Sequence, residues 1–196
     1  MPLVQNPEAS MNAAVQRPEL YEVECGTTLR SIIFDLAGGM ADGLTFKAVQ
    51  VGGPLGGILG EQHLELPLDF EAYHQAGALL GHAGIVVYDQ SVDLIQIGRG
   101  LMKFCAVESC GKCFPCRIGA LRGTELFDKI LEGRGKQSDL DLLAELNETM
   151  RYGSLCALGG AIPLPMDNLL TWFMPEFRRY IEGAETPAML LEGEGS

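Results

Sequence analysis

The spacing of apolar residues divides the chain into two parts with different periodicity. Before residue 91, short apolar runs bounded by glycines flank a single helical pattern, and the runs predict strands at 20–23, 46–51 and 84–88. From residue 91 onward, apolar residues recur at helical spacing in four segments. The pattern predicts an α+β protein in which a small strand-bearing domain at 13–90 precedes an all-α domain of four helices at 91–183.

Capping residues and helix breakers set the expected boundaries of these elements. Residues 1–12 predict a flexible N-terminal tail, and residues 184–196 predict a polar C-terminal tail. Ser138 is followed by acidic residues in the first turn and predicts the start of the third helix. Pro175 lies inside the fourth helical pattern and is expected to kink or divide it, because proline lacks a backbone donor. Four short helices with close connections predict a small bundle.

Four of the six cysteines follow the spacing C-x2-C-x2-C-x39-C across the helical part. Three lie in the loop Cys110-Gly-Lys-Cys113-Phe-Pro-Cys116, where the glycine permits a sharp turn and the proline stiffens the exit. Cys156 lies in a second predicted loop and can supply the ligand that one loop cannot offer to a cubane cluster. The spacing predicts that Cys110, Cys113, Cys116 and Cys156 bind an iron–sulfur cluster.

Three other interpretations of the cysteines remain open. Zinc also binds four thiolates, although structural zinc sites are usually built from two separated C-x2-C pairs. A thioredoxin-like dithiol would use one C-x2-C pair and leave the third cysteine of the loop without a role. Cys105-x4-Cys110-x2-Cys113 with a distant cysteine imitates the spacing of plant-type two-iron ferredoxins. Cys105 lies near the end of a helical pattern, however, and is predicted to be a small buried apolar residue rather than a ligand.

The charge balance and the lack of targeting signals narrow the possible functions. Twenty-six acidic and fourteen basic residues give a formal net charge of −12, and the sequence has no basic patch, which argues against nucleic-acid binding. The N-terminus has neither the charged nor the apolar region of a signal peptide, and no stretch approaches eighteen consecutive apolar residues. The sequence predicts a cytoplasmic protein without a transmembrane segment, whose cysteines suit metal binding better than disulfides.

Two further features are predicted to have no chemical role. The glycine-rich loop 52–57 lacks both the Gly-Lys-Ser/Thr ending of a P-loop and a dinucleotide-binding fingerprint, so it is predicted to be a tight turn. His63, His74 and His82 are not at helical ligand spacing with a carboxylate between them. They are therefore predicted to be ordinary surface or core histidines.

The cysteine motif and its surroundings resemble a known family. The matching segments are Glu108-Ser-Cys110-Gly-Lys-Cys113-Phe-Pro-Cys116-Arg117, Ser154-Leu-Cys156 and residues 76–89. They are similar to the flavoprotein subunit of NADH:quinone oxidoreductase and to its relatives in NAD-linked hydrogenases and formate dehydrogenases, over about residues 13–183. The segments that follow the third and fourth cysteines look most like the beta subunit of NAD-dependent formate dehydrogenases.

The resemblance implies a fold, a cofactor and partners. In such proteins the segment like residues 20–89 is a ubiquitin-like β-grasp domain of the soluble-ligand-binding (SLBB) type, and the helical segment binds one 4Fe-4S cluster through four cysteines. Residue by residue, these match Cys110, Cys113, Cys116 and Cys156. The cluster takes electrons from a flavin and passes them along a relay. The implied partners are a flavin- and NADH-binding part, a ferredoxin-like subunit, and a molybdenum or tungsten catalytic subunit.

The chain departs from the family pattern at its start and beside the cysteines. The part that carries the FMN and NADH sites has no counterpart here, so FMN and NAD are expected only through a missing or partner domain. Phe114 stands where the family commonly has threonine, which changes the polarity beside the sulfurs and can tune the cluster's potential. The sequence predicts an electron-transfer module with no acid, base or nucleophile of its own. The alternatives are a zinc-stabilised docking module and a β-grasp binder of a soluble ligand.

Overall fold

The computed structural model describes residues 8–181, which contain five strands and seven α-helices. In chain order the strands and helices are β1 (Glu8–Ser10), β2 (Leu20–Glu22), β3 (Phe46–Val51), β4 (Gly57–Leu59), α1 (Phe70–Gln75), β5 (Ile85–Asp89), α2 (Leu94–Glu108), α3 (Phe114–Leu131), α4 (Gln137–Gly153), α5 (Ala157–Ala161), α6 (Pro163–Trp172) and α7 (Met174–Ile181). A short π-helix, Ser31–Leu36, lies between β2 and β3. The mixed architecture predicted from the apolar pattern, a small sheet and a helical region, is confirmed.

The described residues pack as two compact units. The first contains the described residues up to Val92 together with Leu164–Trp172, and the second contains Asp93–Pro163 and the described residues from Phe173 onward. The domain boundary expected at 90/91 lies two residues before this division. The expected helical domain at 91–183 also includes 164–172, which the structure packs with the first unit.

The sheet of the first unit is built around β3. This strand pairs antiparallel with β4 on one side and with β5 on the other, and Val49 of β3 lies opposite Leu59 and Val87. A second, two-stranded ladder joins β1 to β2, and a parallel bridge between Met11 and Ile85 connects the end of β1 to β5. Strand β3 lies where its apolar residues predicted a strand, and its last four residues are buried.

The structure corrects two details of the first unit. The expected N-terminal tail at 1–12 includes β1, which pairs with β2. The short elements β4 and α1 were missed, because three strand residues and six helix residues are too few to establish a period.

Loop 52–57 joins β3 to β4 through a turn in which Gly52 and Gly53 have φ of 95° and 91°, as suits glycine. Residues 1–7 and 182–196, with the predicted tail at 184–196, lie outside the described residues.

Helix α6 belongs to the first unit because of the contacts of Asn168. The side chain is 4% exposed, and its Oδ1 accepts from Ile58 N–H at 2.9 Å while its Nδ2 donates to the Gly77 carbonyl at 2.9 Å. The Trp172 ring packs against His63, with 4.2 Å between the ring centroids. A helical period alone predicts that α6 is a helix, but not which unit it packs against.

We expect Asn168→Ala to lower the free energy of unfolding by about 2 kcal/mol, because the buried Ile58 N–H loses its acceptor and the Gly77 carbonyl loses its donor. Thr171→Ala, an exposed position on the same helix, is the matched control and should change stability by less than about 0.5 kcal/mol. Urea denaturation followed by circular dichroism measures both variants. Equal stabilities of the two would contradict the role given to Asn168.

The second unit is organised around α3, whose glycines allow close approach of its neighbours. A Cβ on Gly123 would lie 2.7 Å from the Met102 sulfur of α2, and one on Gly119 would lie 2.6 Å from the Met150 side chain of α4. The Phe127 ring of α3 packs against Phe177 of α7 with 6.0 Å between centroids. Within residues 8–181, no helix has the length and apolar character needed to cross a bilayer.

Two predicted helix boundaries differ from the structure. Ser138 was expected to cap α4, but the cap is Lys136, because the Asp139 carboxylate accepts the Lys136 backbone N–H at 2.8 Å and the Lys129 ammonium at 2.7 Å. The fourth predicted helix is divided at Phe173 into α6 and α7, and Pro175 lies in the first turn of α7. The expected bundle of four helices is therefore α2, α3 and α4 with the shorter α5 and α7.

Candidate metal centre

The loop that carries three of the predicted ligands connects α2 to α3. Gly111 has a φ of 75°, a left-handed conformation that favours glycine, and Cys113 is the N-cap residue of α3. Pro115 lies in the first turn of α3, where a missing backbone donor costs nothing. Cys110 is exposed, Cys113 is half-buried and Cys116 is buried.

The fourth predicted ligand, Cys156, lies in the turn between α4 and α5. It is exposed and is the N-cap residue of α5. Gly153 ends α4, and a Cβ there would lie 2.9 Å from Pro115 in the first turn of α3. A Cβ on Gly159 would lie 2.7 Å from the Cβ of Cys116. The two cysteine-bearing turns therefore pack directly against each other through glycines.

The thiol of Cys113 faces the turn that carries Cys156. The backbone N–H groups of Leu155 and Cys116 hold the pKa of Cys113 below its usual range. These groups favour a negative charge on sulfur, as a ligating thiolate requires. Among residues 8–181, the structure does not arrange three or more Cys, His, Asp or Glu side chains as a closed metal site.

Cys105 has a different environment from the four predicted ligands. It lies in the last turn of α2 with no exposed surface. Burial, with a smaller effect of Cys116 and Glu108 nearby, raises the pKa of the Cys105 thiol to about 12. The predicted role of Cys105 as a small buried apolar residue agrees with this burial, and the ligand set itself stays a prediction.

Two serines beside the cysteines were not recognised from the sequence as part of the site. The Ser109 hydroxyl lies 3.4 Å from the Cys116 sulfur and accepts the Gly111 N–H at 3.3 Å. The Ser154 hydroxyl oxygen is buried and forms no hydrogen bond with the described residues. The only sequence signal for either was a position one or two residues before a cysteine, which does not distinguish a hydroxyl that faces sulfur from one that faces water.

The residues present fit an anionic, thiolate-ligated cluster. All four predicted donors are free thiols, which are the ligands that iron–sulfur clusters use. Backbone N–H groups face the Cys113 sulfur, and a buried hydroxyl without a partner lies between the turns, so both can compensate the charge of a cluster with four thiolates. These features are those expected of a cysteine-ligated iron–sulfur centre.

The comparisons with known proteins support this class. Residues 96–180 match the family described as NADH-ubiquinone oxidoreductase-F iron-sulfur binding region. The helical part therefore matches this family, as the resemblance of the cysteine motif predicted, and the predicted cofactor of that part, a 4Fe-4S cluster, is confirmed.

Longer relatives match over most of the chain. It is 38% identical over 174 residues to the NADP-reducing hydrogenase subunit HndC of Solidesulfovibrio fructosivorans, covering 89% of this chain and 36% of the relative. It is 36% identical over 180 residues to an NADH-quinone oxidoreductase subunit of Escherichia coli K12, covering 91% of this chain and 40% of the relative. This chain thus spans about two fifths of the length of these curated relatives.

A solved structure shares the fold. The structure superposes on a chain in the crystal structure of NAD+-reducing [NiFe]-hydrogenase in the H2-reduced state, with a TM-score of 0.79 and 32% sequence identity. The match covers 89% of this chain and 29% of that chain. The similarity includes both units, so neither the strand-bearing part nor the helical part is peculiar to this protein.

Proposed function

We propose that the chain is the iron–sulfur electron-transfer module of an NAD-linked oxidoreductase complex, and that Cys110, Cys113, Cys116 and Cys156 bind its single 4Fe-4S cluster. The observation that carries the proposal is the direct packing of the two cysteine-bearing turns through Gly153 and Gly159, within a region that belongs to an iron–sulfur binding family. A cubane needs ligands from more than one direction, and this packing provides them.

The chain's own residues have a limited task in such a module. A 4Fe-4S cluster supplies one-electron chemistry, and the protein supplies ligands, burial and orientation. The Leu155 and Cys116 N–H groups face sulfur and compensate its charge. Arg117, whose guanidinium stacks on Phe114 at 5.2 Å from the ring centroid, adds positive charge beside the loop. This arrangement suits a group that changes its charge by one electron without proton transfer.

The surface around the cysteines supports transfer to a partner. Val107, Phe114, Tyr152 and Leu155 are each at least 68% exposed, and all four lie within a few residues of a predicted ligand. Large exposed apolar side chains on the loops of a redox site suit an interaction surface. Electrons are proposed to pass through this face between a flavin and other iron–sulfur centres, so that it is covered in the complete complex.

The strand-bearing unit is proposed to be a β-grasp domain of the SLBB type. Three observations support this: an antiparallel sheet centred on β3, a second ladder joined to it by the Met11–Ile85 bridge, and a helix whose Ile32 and Ile33 are buried in the same core. A sheet with a helix packed on one face is the general architecture of small α+β domains.

The proposed complex includes the parts that this chain does not supply. The FMN- and NADH-binding part, a ferredoxin-like subunit, and a molybdenum or tungsten catalytic subunit would come from a missing domain or from partners, as in a formate dehydrogenase. The formate dehydrogenase assignment rests on the segments that follow Cys116 and Cys156 in the sequence. A cytoplasmic location is part of the same proposal.

The iron and acid-labile sulfide content of anaerobically purified protein tests this function. We expect four irons and four sulfides per chain, and an EPR signal that appears after reduction with dithionite. Zinc without iron would overturn the proposal and make the chain a docking module. Two irons per chain would replace it with the plant-type cluster, in which Cys105 takes part.

A further inference from the structure

The Ser154 hydroxyl is a buried polar group without a hydrogen-bond partner among the described residues. Buried hydroxyls are nearly always paired, because an unpaired one has lost its water without compensation. Such an exception at a functional site calls for a partner. Ser154 lies two residues before Cys156, and it is the C-cap residue of α4.

The surroundings of this hydroxyl point toward sulfur. A Cβ on Gly159 would lie 2.4 Å from Ser154 Oγ and 2.7 Å from the Cβ of Cys116, so the hydroxyl lies beside a predicted sulfur ligand. The hydroxyl is therefore buried where the two cysteine-bearing turns pack together.

The second serine of the site does not share this property. The Ser109 hydroxyl already accepts the Gly111 N–H at 3.3 Å and contacts the Cys116 sulfur at 3.4 Å. Both contacts use the Ser109 oxygen as acceptor, so Ser109 has hydrogen-bond partners within the loop. Ser154 differs because its oxygen has no hydrogen-bond partner among residues 8–181, and a thiolate or a cluster sulfur beside it would be a strong acceptor for its proton.

We propose that Ser154 is a positioning and tuning residue, whose hydroxyl donates a hydrogen bond to a ligating thiolate or to an adjacent cluster sulfur. This inference rests on the proposed function. One-electron reduction adds one negative charge to the cluster and its four thiolates, and no proton is transferred. A donor aimed at sulfur stabilises the reduced form more than the oxidised form, so Ser154 raises the reduction potential.

The two forms of the protein should respond to Ser154→Ala in opposite ways. In the iron-free chain the variant removes an unpaired buried hydroxyl, so it should be as stable as the wild type or more stable. In the iron-loaded chain it removes a donor to sulfur. We expect the equilibrium constant for reduction to fall about tenfold, which corresponds to about 59 mV toward lower potential for one electron.

Redox titration followed by EPR, on wild type, Ser154→Ala, Ser154→Thr and Ser138→Ala, tests the proposal. Ser138→Ala is the matched control, since Ser138 is exposed in the first turn of the same helix that ends at Gly153. It should leave the potential unchanged, and Ser154→Thr, which keeps the hydroxyl, should restore the wild-type value. Thermal unfolding of the iron-free proteins provides the second readout.

The outcomes separate this inference from the proposed function. Wild-type protein without iron would overturn the proposed function itself. A wild type with four irons whose potential equals that of Ser154→Ala would overturn only the role of Ser154. If Ser154→Ala fails to retain iron, Ser154→Thr decides: recovery of iron and potential supports the hydrogen bond, and failure to recover them overturns it.

Discussion

Cys156→Ser is expected to abolish the 4Fe-4S cluster, while Cys105→Ser retains it. Cys156 is the one predicted ligand outside the loop 110–116, so its loss leaves one corner of the cubane without a thiolate. Cys105 has no exposed surface, and burial raises its thiol pKa to about 12; it is therefore poorly suited to ligation as a thiolate. Iron and sulfide content with EPR after dithionite measures both variants.

The paired variants decide between cluster types. Four irons in Cys105→Ser and none in Cys156→Ser agree with the proposed ligand set. Loss of iron in Cys105→Ser with two irons in the wild type would favour the plant-type spacing instead. Circular dichroism of both variants in the iron-free state shows whether the substitutions change the fold.

Gly159→Ala is expected to destabilise the second unit by about 3 kcal/mol, the upper part of the range for overpacking. The added Cβ would lie 2.4 Å from Ser154 Oγ and 2.7 Å from the Cβ atoms of Ser154 and Cys116. Two of these contacts are to Cβ atoms, which cannot move without the backbone. The variant forces apart the turns that carry Cys116 and Cys156, so its iron content should fall as well.

The neighbouring Gly160 offers a matched control for this prediction. A Cβ there would meet only the Arg151 carbonyl oxygen at 3.7 Å, an ordinary contact. Gly160→Ala lies in the same short helix, where alanine is favoured over glycine by about 0.5–1 kcal/mol. It should keep its iron and gain slightly in thermal stability. Equal iron loss in both variants would contradict the packing argument.

The parts of the fold that could be predicted from the sequence are those with a local signal. Strand β3 was predicted at its observed bounds from its apolar residues, and helical spacing predicted helices in the segments where α2 and α3 lie. Strand β4 has three residues and depends on β3 for its existence. The packing of α6 with the first unit depends on Asn168 and two backbone groups distant in sequence, which no local pattern encodes.

The candidate site shows the same division. Cys110, Cys113 and Cys116 lie in one short loop, and few kinds of site use thiols at this spacing. They could therefore be predicted from the sequence. The nearness of Cys156 to this loop depends on Gly153 and Gly159, which look like ordinary turn glycines in the sequence. Their function becomes visible only through the atoms that a side chain at each position would meet.

Because α6 packs with the first unit, the two units cannot be separated by a single cut in the gene. The polypeptide passes from one unit to the other at 92/93, returns at 163/164 and leaves again at 172/173. Expression of 13–90 alone would therefore yield a fragment without Asn168 and Trp172. Ile58 would lose the acceptor of its N–H group. Fragment swaps between relatives should accordingly exchange 164–172 together with the N-terminal segment.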